Sequence, residues 1–463
     1  MMKRAHTKGR SPASGQQQRG VATLIVVLVL FFVVSMVAAY TNRNLIFEQR
    51  TSSNQYRSTQ AIEAAEAGLE WAIGALNIGR VDNSCAPSTS TSDLSLRQRL
   101  LSIDNTGRIT PTVGPSGEQL SAVCVYTGSG WSCSCPTSGT ASVTPPSGNG
   151  FFPAFRVRFQ RIIGETSTST VPRQPGVVKV QVVGCSRADA STGDQCLEFN
   201  AGQGAAGEGR VLVSAMLALS GTASSPPQAA LVARDEVDIG GSTGIAAYNS
   251  LPGGTGITVQ SGGDVDVPDE GKLVGQPGSP GGMQTVIRND TALSGLTAFT
   301  GTNAISVQER MFAAVFNLRP DTFRDQPATL QLSCGTSPCT AADVRSAVAS
   351  NPWRPIWLDG GLNVDSAGDI GTAALPVLLV VNGDVSFSVS TANILGLVYV
   401  RTPSSSSAWT TSGAGQIVGG TVADKEVRGS GTTTFVHDPA VIGLIRWNTG
   451  SFVRVPGSWK NFE

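Results

Sequence analysis

The feature that most constrains the fold is a long stretch near the N-terminus without proline or glycine. It runs from Val21 to Ala67. Only three side chains within residues 21–40 are polar, namely Thr23, Ser35 and Tyr40. An α-helix rises about 1.5 Å per residue, so about 20 apolar residues span a bilayer core of about 30 Å. The stretch therefore predicts a transmembrane helix over residues 21–40.

A cleaved secretory signal peptide is the alternative interpretation of this segment. The apolar core of such a peptide is usually about 7–15 residues long and ends at a small-residue cleavage site. The nearest match is at residues 38–40, but the helical pattern continues beyond it, so we expect the helix to be retained. Five basic residues precede the helix: Lys3, Arg4, Lys8, Arg10 and Arg19. By the positive-inside rule, the N-terminus is cytoplasmic and the rest of the chain is exported.

The helical pattern becomes amphipathic beyond the apolar segment. Apolar side chains recur there at spacings of three and four residues: Ile62, Ala65, Leu69, Ile73 and Leu76. This spacing places them on one face of a helix. We predict a single helix from about Val21 to Leu76, roughly 80 Å long at the same rise per residue. It ends before Gly79, where turn-forming residues begin.

The charged residues of this helix are segregated along its length. Three arginines come first, seven residues apart, and three glutamates follow: Arg43, Arg50 and Arg57, then Glu63, Glu66 and Glu70. One interpretation is a solvated polar face. The other is that the acidic part of one helix lies beside the basic part of a staggered neighbouring helix. Such a partner would offset the slight destabilisation that like charges at these spacings cause.

Together these segments resemble a type IV prepilin, because a short basic leader ends in glycine and an uncharged helix follows directly. The sequence RSTQAIEAAEAGLEWAIGAL, residues 57–76, is similar to the AAEA-L pattern of PilX-type minor pilins. The resemblance covers roughly residues 16–78 and implies a leader over residues 1–20. It also implies cleavage by a prepilin peptidase between Gly20 and Val21, N-methylation of Val21, and a helix that leaves the inner membrane to pack against other pilins in a filament.

One position departs from the pattern of major pilins. The fifth residue of their mature chain is a glutamate, and here it is Ile25; they also usually begin with phenylalanine, whereas this chain has Val21. A carboxylate in an apolar bundle is costly unless it is paired, and in the family it is thought to pair with a neighbour's N-terminal amine. PilX-type pilins and the tip pseudopilin of type II secretion also lack it. The resemblance therefore implies a minor, tip or initiation subunit.

The composition fits an exported protein and argues against a nucleic-acid partner. The chain has 463 residues, with 33 Lys and Arg against 33 Asp and Glu, and charged residues are 14% of the total. Basic residues are not clustered outside the leader, so the sequence offers no electrostatic surface for nucleic acid. Low charge and 54 glycines favour a β-rich extracellular surface. The exported part is too long for one small domain.

All eight cysteines lie in the predicted exported part: Cys85, Cys124, Cys133, Cys135, Cys185, Cys196, Cys334 and Cys339. An even number of cysteines in an oxidising compartment indicates disulfides. The turn-rich stretch between Cys185 and Cys196 predicts one bridge, and the short loop between Cys334 and Cys339 predicts another. The other four cysteines leave three connectivities open.

The first exported region, residues 79–222, is predicted to be a small antiparallel β head. Strand-like alternation recurs in four segments separated by Gly, Pro and Ser: residues 122–128, 154–162, 176–185 and 209–221. The N-terminal helix with its flanking turn is expected to occupy residues 21–78. We expect its apolar stripe to pack on one face of this sheet. Residues 223–228 form a linker.

The last region, residues 229–463, consists of short β runs broken by glycine, asparagine and aspartate. Such runs, which recur without strict register, favour parallel stacking in a solenoid. We predict a right-handed β-helix here, with a β-sandwich as the alternative, so the fold class is α+β. Two helical segments are expected within it, at Val307–Leu318 and Ala341–Ala349.

The sequence offers weak candidates for a metal site and none for a catalytic centre. Asp264, Asp266 and Asp269 supply the hard oxygen ligands that calcium prefers, and residues 363–369 are a weaker candidate. Neither has the spacing of the twelve-residue calcium loop, and carboxylates at turns more often bind the turn backbone. Motifs typical of nucleophilic hydrolases, metallopeptidases and nucleotide-binding proteins do not occur. No cofactor is expected.

Two classes of function follow. The first is a minor pilin of a type IV pilus, not an enzyme, that acts in pilus assembly or initiation and presents its exported domain to a host or surface ligand. The second is a surface protein that binds or cleaves glycans, with Trp353, Trp357 and Trp409 as aromatic candidates. A tip pseudopilin of a type II secretion system is a further alternative. A cleft lined by aligned carboxylates or aromatic rings would favour the glycan class.

Overall fold

A computed structural model of the chain describes most of its residues. The described ranges are 19–147, 152–162, 174–188, 195–199, 209–220, 223–238, 245–300, 304–334, 338–401, 409–411, 413–429 and 431–461. Side chains are not described for residues 19–21 and 409–411. The predicted leader therefore lies outside the described residues, except at its last two positions. By their contacts, residues form two units, 1–59 and 60–463.

The first element is a single helix, α1 (Arg19–Leu76), so the predicted long helix is present. It is continuous because, after Gly20 in its first turn, the next glycine or proline comes only at Gly68, where the helix already packs on a sheet. All side chains from residue 22 to residue 56 are exposed. In this first unit the helix thus presents an apolar surface that the described residues do not cover.

After α1, the described residues of the region up to residue 220 form a short helix and nine strands. They are β1 (Arg80–Val81), β2 (Leu94–Ser95), α2 (Leu96–Leu100), β3 (Leu101–Ile103), β4 (Ile109–Pro111), β5 (Ala122–Tyr126), β6 (Trp131–Ser134), β7 (Ala154–Gln160), β8 (Val177–Cys185) and β9 (Arg210–Ser220), with a 3-10 turn at Gln195–Leu197. The main sheet is antiparallel, with strand order β9–β8–β7–β5–β6. The four strand segments expected from the sequence correspond to β5, β7, β8 and β9, whereas β6 was not expected.

Residues 60–76 of α1 pack closely on this sheet through small side chains. The buried residues of this face are Ala61, Ala64, Ala65, Leu69, Ala72, Ala75 and Leu76. At the margins of the predicted stripe, Ile62 and Ile73 are half-buried, and Ile73 packs against the core of the head. The centre of the buried face is formed by alanines, since a Cβ at Gly184 of β8 would lie 2.5 Å from the backbone nitrogen of Ala65. Only small residues permit such a close approach.

The region after β9 starts with short strands and helices. They are β10 (Leu231–Ala233), β11 (Val237–Asp238), β12 (Ala246–Tyr248), β13 (Val259–Ser261), β14 (Val265–Asp266), β15 (Leu273–Val274), β16 (Val286–Ile287), α3 (Thr291–Ser294), α4 (Val307–Phe316) and α5 (Pro320–Asp325). The 3-10 turn Glu270–Lys272 directly precedes β15, and the 3-10 turn Gly282–Thr285 directly precedes β16.

The rest of the chain continues this pattern and ends in a helix and a strand. Its elements are β17 (Leu330–Leu332), β18 (Cys339–Thr340), α6 (Ala341–Ser350), β19 (Ile356–Leu358), β20 (Leu362–Val364), β21 (Val377–Val381), β22 (Val385–Phe387), β23 (Asn393–Val400), β24 (Trp409–Thr411), β25 (Gln416–Ala423), β26 (Val427–Gly429), β27 (Thr434–His437), α7 (Pro439–Asn448) and β28 (Ser451–Arg454). The two predicted helical segments correspond to α4 and α6, and α7 was not expected.

The strands from β10 to β27 pair in parallel wherever the described residues form ladders between them. The stacking order is not the chain order. Along one sheet it reads β17–β19–β21–β23–β25–β10–β13–β16. The chain therefore builds from β10 to β16, crosses to the opposite end of the stack, and returns from β17 to β25, which pairs with β10. Inside the stack lies an apolar core that includes Val398, Ile417 and Phe435.

The crossing segment between β16 and β17 covers the outer face of that sheet with helices. Phe312 of α4 meets the ring of Tyr399 at 5.0 Å and the ring of Trp357 at 6.1 Å. Phe323 of α5 lies 4.8 Å from Phe316. These rings are fully buried. The outer face of the sheet is thus an aromatic second core rather than a solvent-facing surface.

The end of the chain departs from the predicted division into domains. We expected residues 229–463 to form one region, but β28 pairs antiparallel with β9 of the head sheet, Ser451 opposite Ser220. Lys460 also exchanges two backbone hydrogen bonds of 2.8 Å with Ser214. The physical reason is that β9 has a free edge in the head sheet, which a returning strand can pair. Residues 223–450 are therefore inserted between two adjacent strands of the head.

Four disulfides join the eight cysteines. The two bridges expected from short loops, Cys185–Cys196 and Cys334–Cys339, are present. The other four cysteines, whose pairing the sequence left open, form Cys85–Cys135 and Cys124–Cys133. Cys124–Cys133 joins neighbouring strands β5 and β6 at directly opposed positions, and so fixes the short edge strand.

Candidate functional site

The largest exposed apolar surface lies on the N-terminal part of α1. Leu24 and Phe31 are 67% and 71% exposed, and the helix from Ala22 onward is long and apolar enough to cross a membrane. Large continuous apolar surfaces mark sites of membrane or protein contact. Ile25 belongs to this surface and is 57% exposed. Gly20 and Val21 lie in the first turn of the helix, with no side-chain placement described.

The three arginines follow the apolar surface. Arg43 and Arg50 are exposed and Arg57 is half-buried. The guanidinium of Arg43 lies 5.5 Å from the ring centroid of Phe47. Residues seven apart return to nearly the same side of an α-helix, with a drift of about 20°. The arginines therefore form one basic stripe along α1.

Glu63, Glu66 and Glu70 project from α1 on the side away from the sheet. All three are exposed, and together we call them the acidic ridge. Arg454 of β28 lies 3.4 Å from Glu70, and both side chains are about half-exposed or more. An ion pair this exposed contributes little stability, about 0–1 kcal/mol. The acidic ridge is therefore available to an external partner.

An aromatic groove flanks the acidic ridge on each side. The first, which we call the Trp131 groove, has a volume of about 280 Å³ and is lined by Gln60, Glu63, Ala64, Ala67, Tyr126, Trp131 and Pro153. The second, which we call the C-terminal groove, has a volume of about 370 Å³ and is lined by Glu66, Arg454, Val455, Pro456, Gly457 and Trp459. Each groove thus combines one ridge carboxylate with one tryptophan.

The floor of the Trp131 groove connects to the core of the head. Trp131 is 38% exposed and lies 4.7 Å from the buried ring of Phe155 and 5.5 Å from Tyr126. A Cβ at Gly68 would lie 2.7 Å from the Phe155 ring, so only glycine at this position of α1 leaves room for that ring. These aromatic residues were not predicted as site residues from the sequence. Their one signal is the pair Tyr126 and Trp131 on either side of a Gly-Ser-Gly turn.

The predicted calcium candidates do not converge. Asp264 accepts a hydrogen bond from the backbone of Val265 and lies 4.0 Å from Arg288. Asp269 caps a 3-10 turn by accepting from Gly271, and Asp266 is exposed. Among the described residues, no group of three or more His, Cys, Asp or Glu side chains is placed to hold a metal ion.

The weaker candidate at residues 363–369 has its carboxylates engaged in turn contacts. Asp365 accepts a hydrogen bond from the backbone of Ala341 at 3.3 Å. Asp369 accepts one from the side chain of Asn393 at 2.8 Å. These contacts join successive turns of the parallel stack, which is a structural role.

The aromatic candidates for a glycan surface are not arranged as one. Trp357 is 1% exposed, and its indole nitrogen donates to Asp359 at 2.8 Å, so it does not line a surface for a glycan. Trp357 is buried because α4 and α5 cover the sheet that carries it. Trp353 is half-buried, and the side chain of Trp409 lies outside the described residues.

A larger cleft of about 620 Å³ lies near β15, but its lining is chemically poor. Its lining residues include Glu270, Val274, Gly275, Gln276 and Gly282. The described lining residues provide one carboxylate and no aromatic ring. The cleft therefore lacks the aligned carboxylates or rings that a glycan site would need.

Comparisons with known proteins agree with the N-terminal resemblance. Residues 19–70 match the model of the family described as PilX N-terminal. The resemblance read from the sequence is thus confirmed over this segment, and the chain has a PilX-type N-terminus. No curated protein sequence gives a significant match. The crystal structure of the competence-associated pilin ComZ from Thermus thermophilus aligns at 12% identity over 87% of this chain and 97% of that chain, with a TM-score of 0.21, which is too low to support a conclusion about this fold.

Proposed function

We propose that this chain is a minor pilin of a type IV pilus. The observation that carries the proposal is the PilX-type segment, residues 19–70, on a helix whose apolar side chains are exposed from residue 22 onward. An isolated helix with such a surface needs either a membrane or other helices around it. A pilin needs both in turn, the inner membrane before assembly and neighbouring pilins afterwards. The role is structural, so we expect no enzymatic activity.

Processing by a prepilin peptidase would separate residues 1–20 from the mature chain at the Gly20–Val21 bond. The five basic residues before the apolar segment favour a cytoplasmic N-terminus, which puts this bond at the cytoplasmic side of the inner membrane. Val21 would then carry the new amino group and its methylation. The disulfides of the exported part fit an oxidising compartment.

We place the subunit at the tip or in the initiation complex of the pilus. Ile25 provides no carboxylate to pair with a neighbour's N-terminal amine. Residues 223–450 also add a large insertion to the head sheet, and such a bulk is easier to accommodate at an end than in every layer of a close-packed shaft. The basic stripe and the acidic ridge are proposed as contacts with neighbouring pilin helices.

We propose that residues 229–450 form a right-handed β-helix that presents a surface to a host or surface ligand. The strands pair in parallel at matched register, for example Val398 opposite Thr421 and Leu231 opposite Thr421. This pairing favours the stacked turns of a solenoid, because a β-sandwich would be largely antiparallel. The poor lining of the cleft near β15 favours adhesion or surface contact over glycan cleavage.

The test is deletion of the chain combined with labelling of filaments. We expect fewer pili, or pili that adhere less, with a shaft still built of another pilin, and antibody label at filament ends in small amounts. Uniform labelling along filaments at a ratio near that of the major pilin would contradict the minor role. Loss of protein secretion without loss of surface pili would instead identify a secretion pseudopilin.

A further inference from the structure

We propose that the Trp131 groove binds an arginine side chain from the helix of a neighbouring pilin, and that this contact selects which helix packs beside the acidic ridge. The inference rests on the proposed function, because it requires a second pilin helix next to α1. The proposal specifies an arginine side chain as the ligand. The family match of the N-terminal segment does not specify any such contact.

The chemistry of the groove suits a guanidinium group. Glu63 supplies a carboxylate at one wall, and Tyr126 and Trp131 supply two ring faces or edges at the other. Both rings are more than one-third exposed. A planar guanidinium can stack on an aromatic ring and pair with a carboxylate at the same time. A lysine ammonium would keep more of its hydration and gain less from the rings.

The C-terminal groove provides an internal comparison. Its lining includes an arginine of this chain, Arg454. The Arg454 guanidinium lies 3.4 Å from Glu70, a ridge carboxylate that is not among the lining residues. Among the described residues that line the Trp131 groove, none is basic. The two flanks of the acidic ridge therefore differ in their charge: the lining of the C-terminal groove includes the cation Arg454, whereas the described lining of the Trp131 groove has a carboxylate and two rings.

The Trp131 groove is also preorganised. The Cys124–Cys133 disulfide ties β6, which carries Trp131, to β5. Phe155 supports the Trp131 ring from below at 4.7 Å. A rigid site loses less entropy on binding than a flexible one, so a single side chain can be recognised there.

The charge of the acidic ridge is complementary to that of a basic stripe on a pilin helix, which identifies the occupant of the groove. The basic stripe of α1, Arg43, Arg50 and Arg57, shows a pilin helix that carries guanidinium groups on one side at regular intervals. A neighbouring helix of this kind, displaced along the filament axis, would bring an arginine beside the acidic ridge. Opposite charges arranged in this way also set the register between helices.

The experiment is site-specific photo-crosslinking of the full-length protein in its own cells. A benzoylphenylalanine at position 126 keeps an aromatic ring in the groove and reports on what enters it. The same probe at Leu30, on the apolar part of α1, reports on pilin packing as such. A probe at Val113, which is 59% exposed on the head, is the background control. We expect a crosslink from position 126 to a helical segment of a pilin that contains arginine, and none from position 113.

Second substitutions in the position-126 probe strain test the assigned groups. Glu63→Gln and Trp131→Leu should each lower the yield by roughly three- to tenfold, the range expected for a lost cation–π or charged contact. Trp459→Leu in the C-terminal groove should leave it unchanged. Formation of all four disulfides in each variant verifies folding.

The outcomes separate the inference from the proposed function. Crosslinks at position 30 without any at position 126 would overturn the inference and leave the pilin assignment standing. Absence of crosslinks at position 30 would overturn the pilin assignment and the inference with it. A product at position 126 that maps to a non-helical part of the partner, or that responds equally to Trp459→Leu, would also overturn the arginine contact.

Discussion

The side-chain amide of Asn77 pairs with both backbone polar groups of Phe452. Its Nδ2 donates to the carbonyl oxygen over 2.9 Å, and the Phe452 N–H donates to its Oδ1 over 2.7 Å. Phe452 lies on β28, the edge strand of the head sheet, so the amide does at this edge what a neighbouring strand would do. The residue just after α1 thereby holds the point where the chain returns from the inserted region.

Arg97 reinforces the same junction from α2. It donates to the carbonyl oxygens of Asn448 and Gly450 over 2.6 and 2.8 Å, and its guanidinium lies 4.7 Å from the Phe452 ring. Burial lowers the pKa of Arg97 to about 9, so it remains protonated at neutral pH. The end of α1, α2 and the returning strand are therefore one hydrogen-bonded unit.

We predict that Asn77→Ala lowers the free energy of unfolding of the full-length protein by about 1–3 kcal/mol. The reason is that it leaves the N–H and C=O of Phe452 buried without partners. Denaturant titration in detergent measures this. Asn105→Ala, at an exposed turn position, is the control and should change stability by less than about 0.5 kcal/mol. Equal effects of the two substitutions would show that the Asn77 contact is not what stabilises the junction.

We predict opposite effects for two glycine-to-alanine substitutions. Gly184→Ala would place a Cβ against the carbonyl oxygen of Ala61 and 2.5 Å from the nitrogen of Ala65, which forces α1 away from the sheet and should cost about 1–3 kcal/mol or more. Gly74→Ala meets no atom within 4 Å and should stabilise the helix by about 0.5–1 kcal/mol.

Thermal unfolding of these two variants, followed by circular dichroism, should move the midpoint down for Gly184→Ala and up for Gly74→Ala. A Gly184→Ala variant as stable as the parent would mean that the close approach of α1 and β8 is not a packing constraint.

We predict that stability falls as pH drops below about 6.5 and that His437 is a main cause. Burial lowers the pKa of His437 below its ordinary value of 6.5, and its Nε2 lies 3.1 Å from the carbonyl oxygen of Pro227. The unfolded state therefore takes up a proton at a pH where the folded state does not. Stability from this group is complete above the unfolded pKa and is lost as pH falls through and below it.

The measurement is the free energy of unfolding at pH 7.5 and at pH 5.5 for the parent and for His437→Gln. We expect the parent to lose stability between these values and the variant to lose less. Asn105→Ala, at an exposed turn position, is the control and should leave the pH dependence unchanged. An unchanged pH dependence in His437→Gln would assign the effect to other groups.

We predict that Ile25→Glu reduces pilus number. A carboxylate in an apolar bundle is stable only when it is paired, and a subunit that starts a filament has no pilin amine in the place that such a pair requires. Counting pili by electron microscopy measures this, with the apolar substitution Ile25→Leu as the control. If Ile25→Glu assembles as well as the control, the missing carboxylate does not set the position of the subunit.

The local patterns of the sequence predict much of the structure. The long helix follows from the absence of glycine and proline between Val21 and Ala67, and four head strands follow from alternation. Cys185–Cys196 and Cys334–Cys339 follow from short turn-rich loops. These features depend on neighbouring residues, so a local pattern is sufficient to predict them.

Features that depend on distant residues were not predicted. Leu231 pairs opposite Thr421, almost 200 residues later in the chain, and nothing in either strand indicates this partner. The return of β28 to β9 and the burial of Trp357 under α4 and α5 are of the same kind. The Trp131 groove requires the Phe155 ring, the space left by Gly68 and the edge strand β6, which come from three separate segments.

The N-terminus of the chain recovered from sheared filaments is the measurement that tests the central claim most directly. Mass spectrometry of that material should find a mature chain that starts at N-methylated Val21, and Gly20→Leu should leave the chain uncleaved in the inner membrane and absent from filaments. A chain that is found in filaments with its leader intact, or that starts at any residue other than Val21, would contradict the assignment as a processed minor pilin.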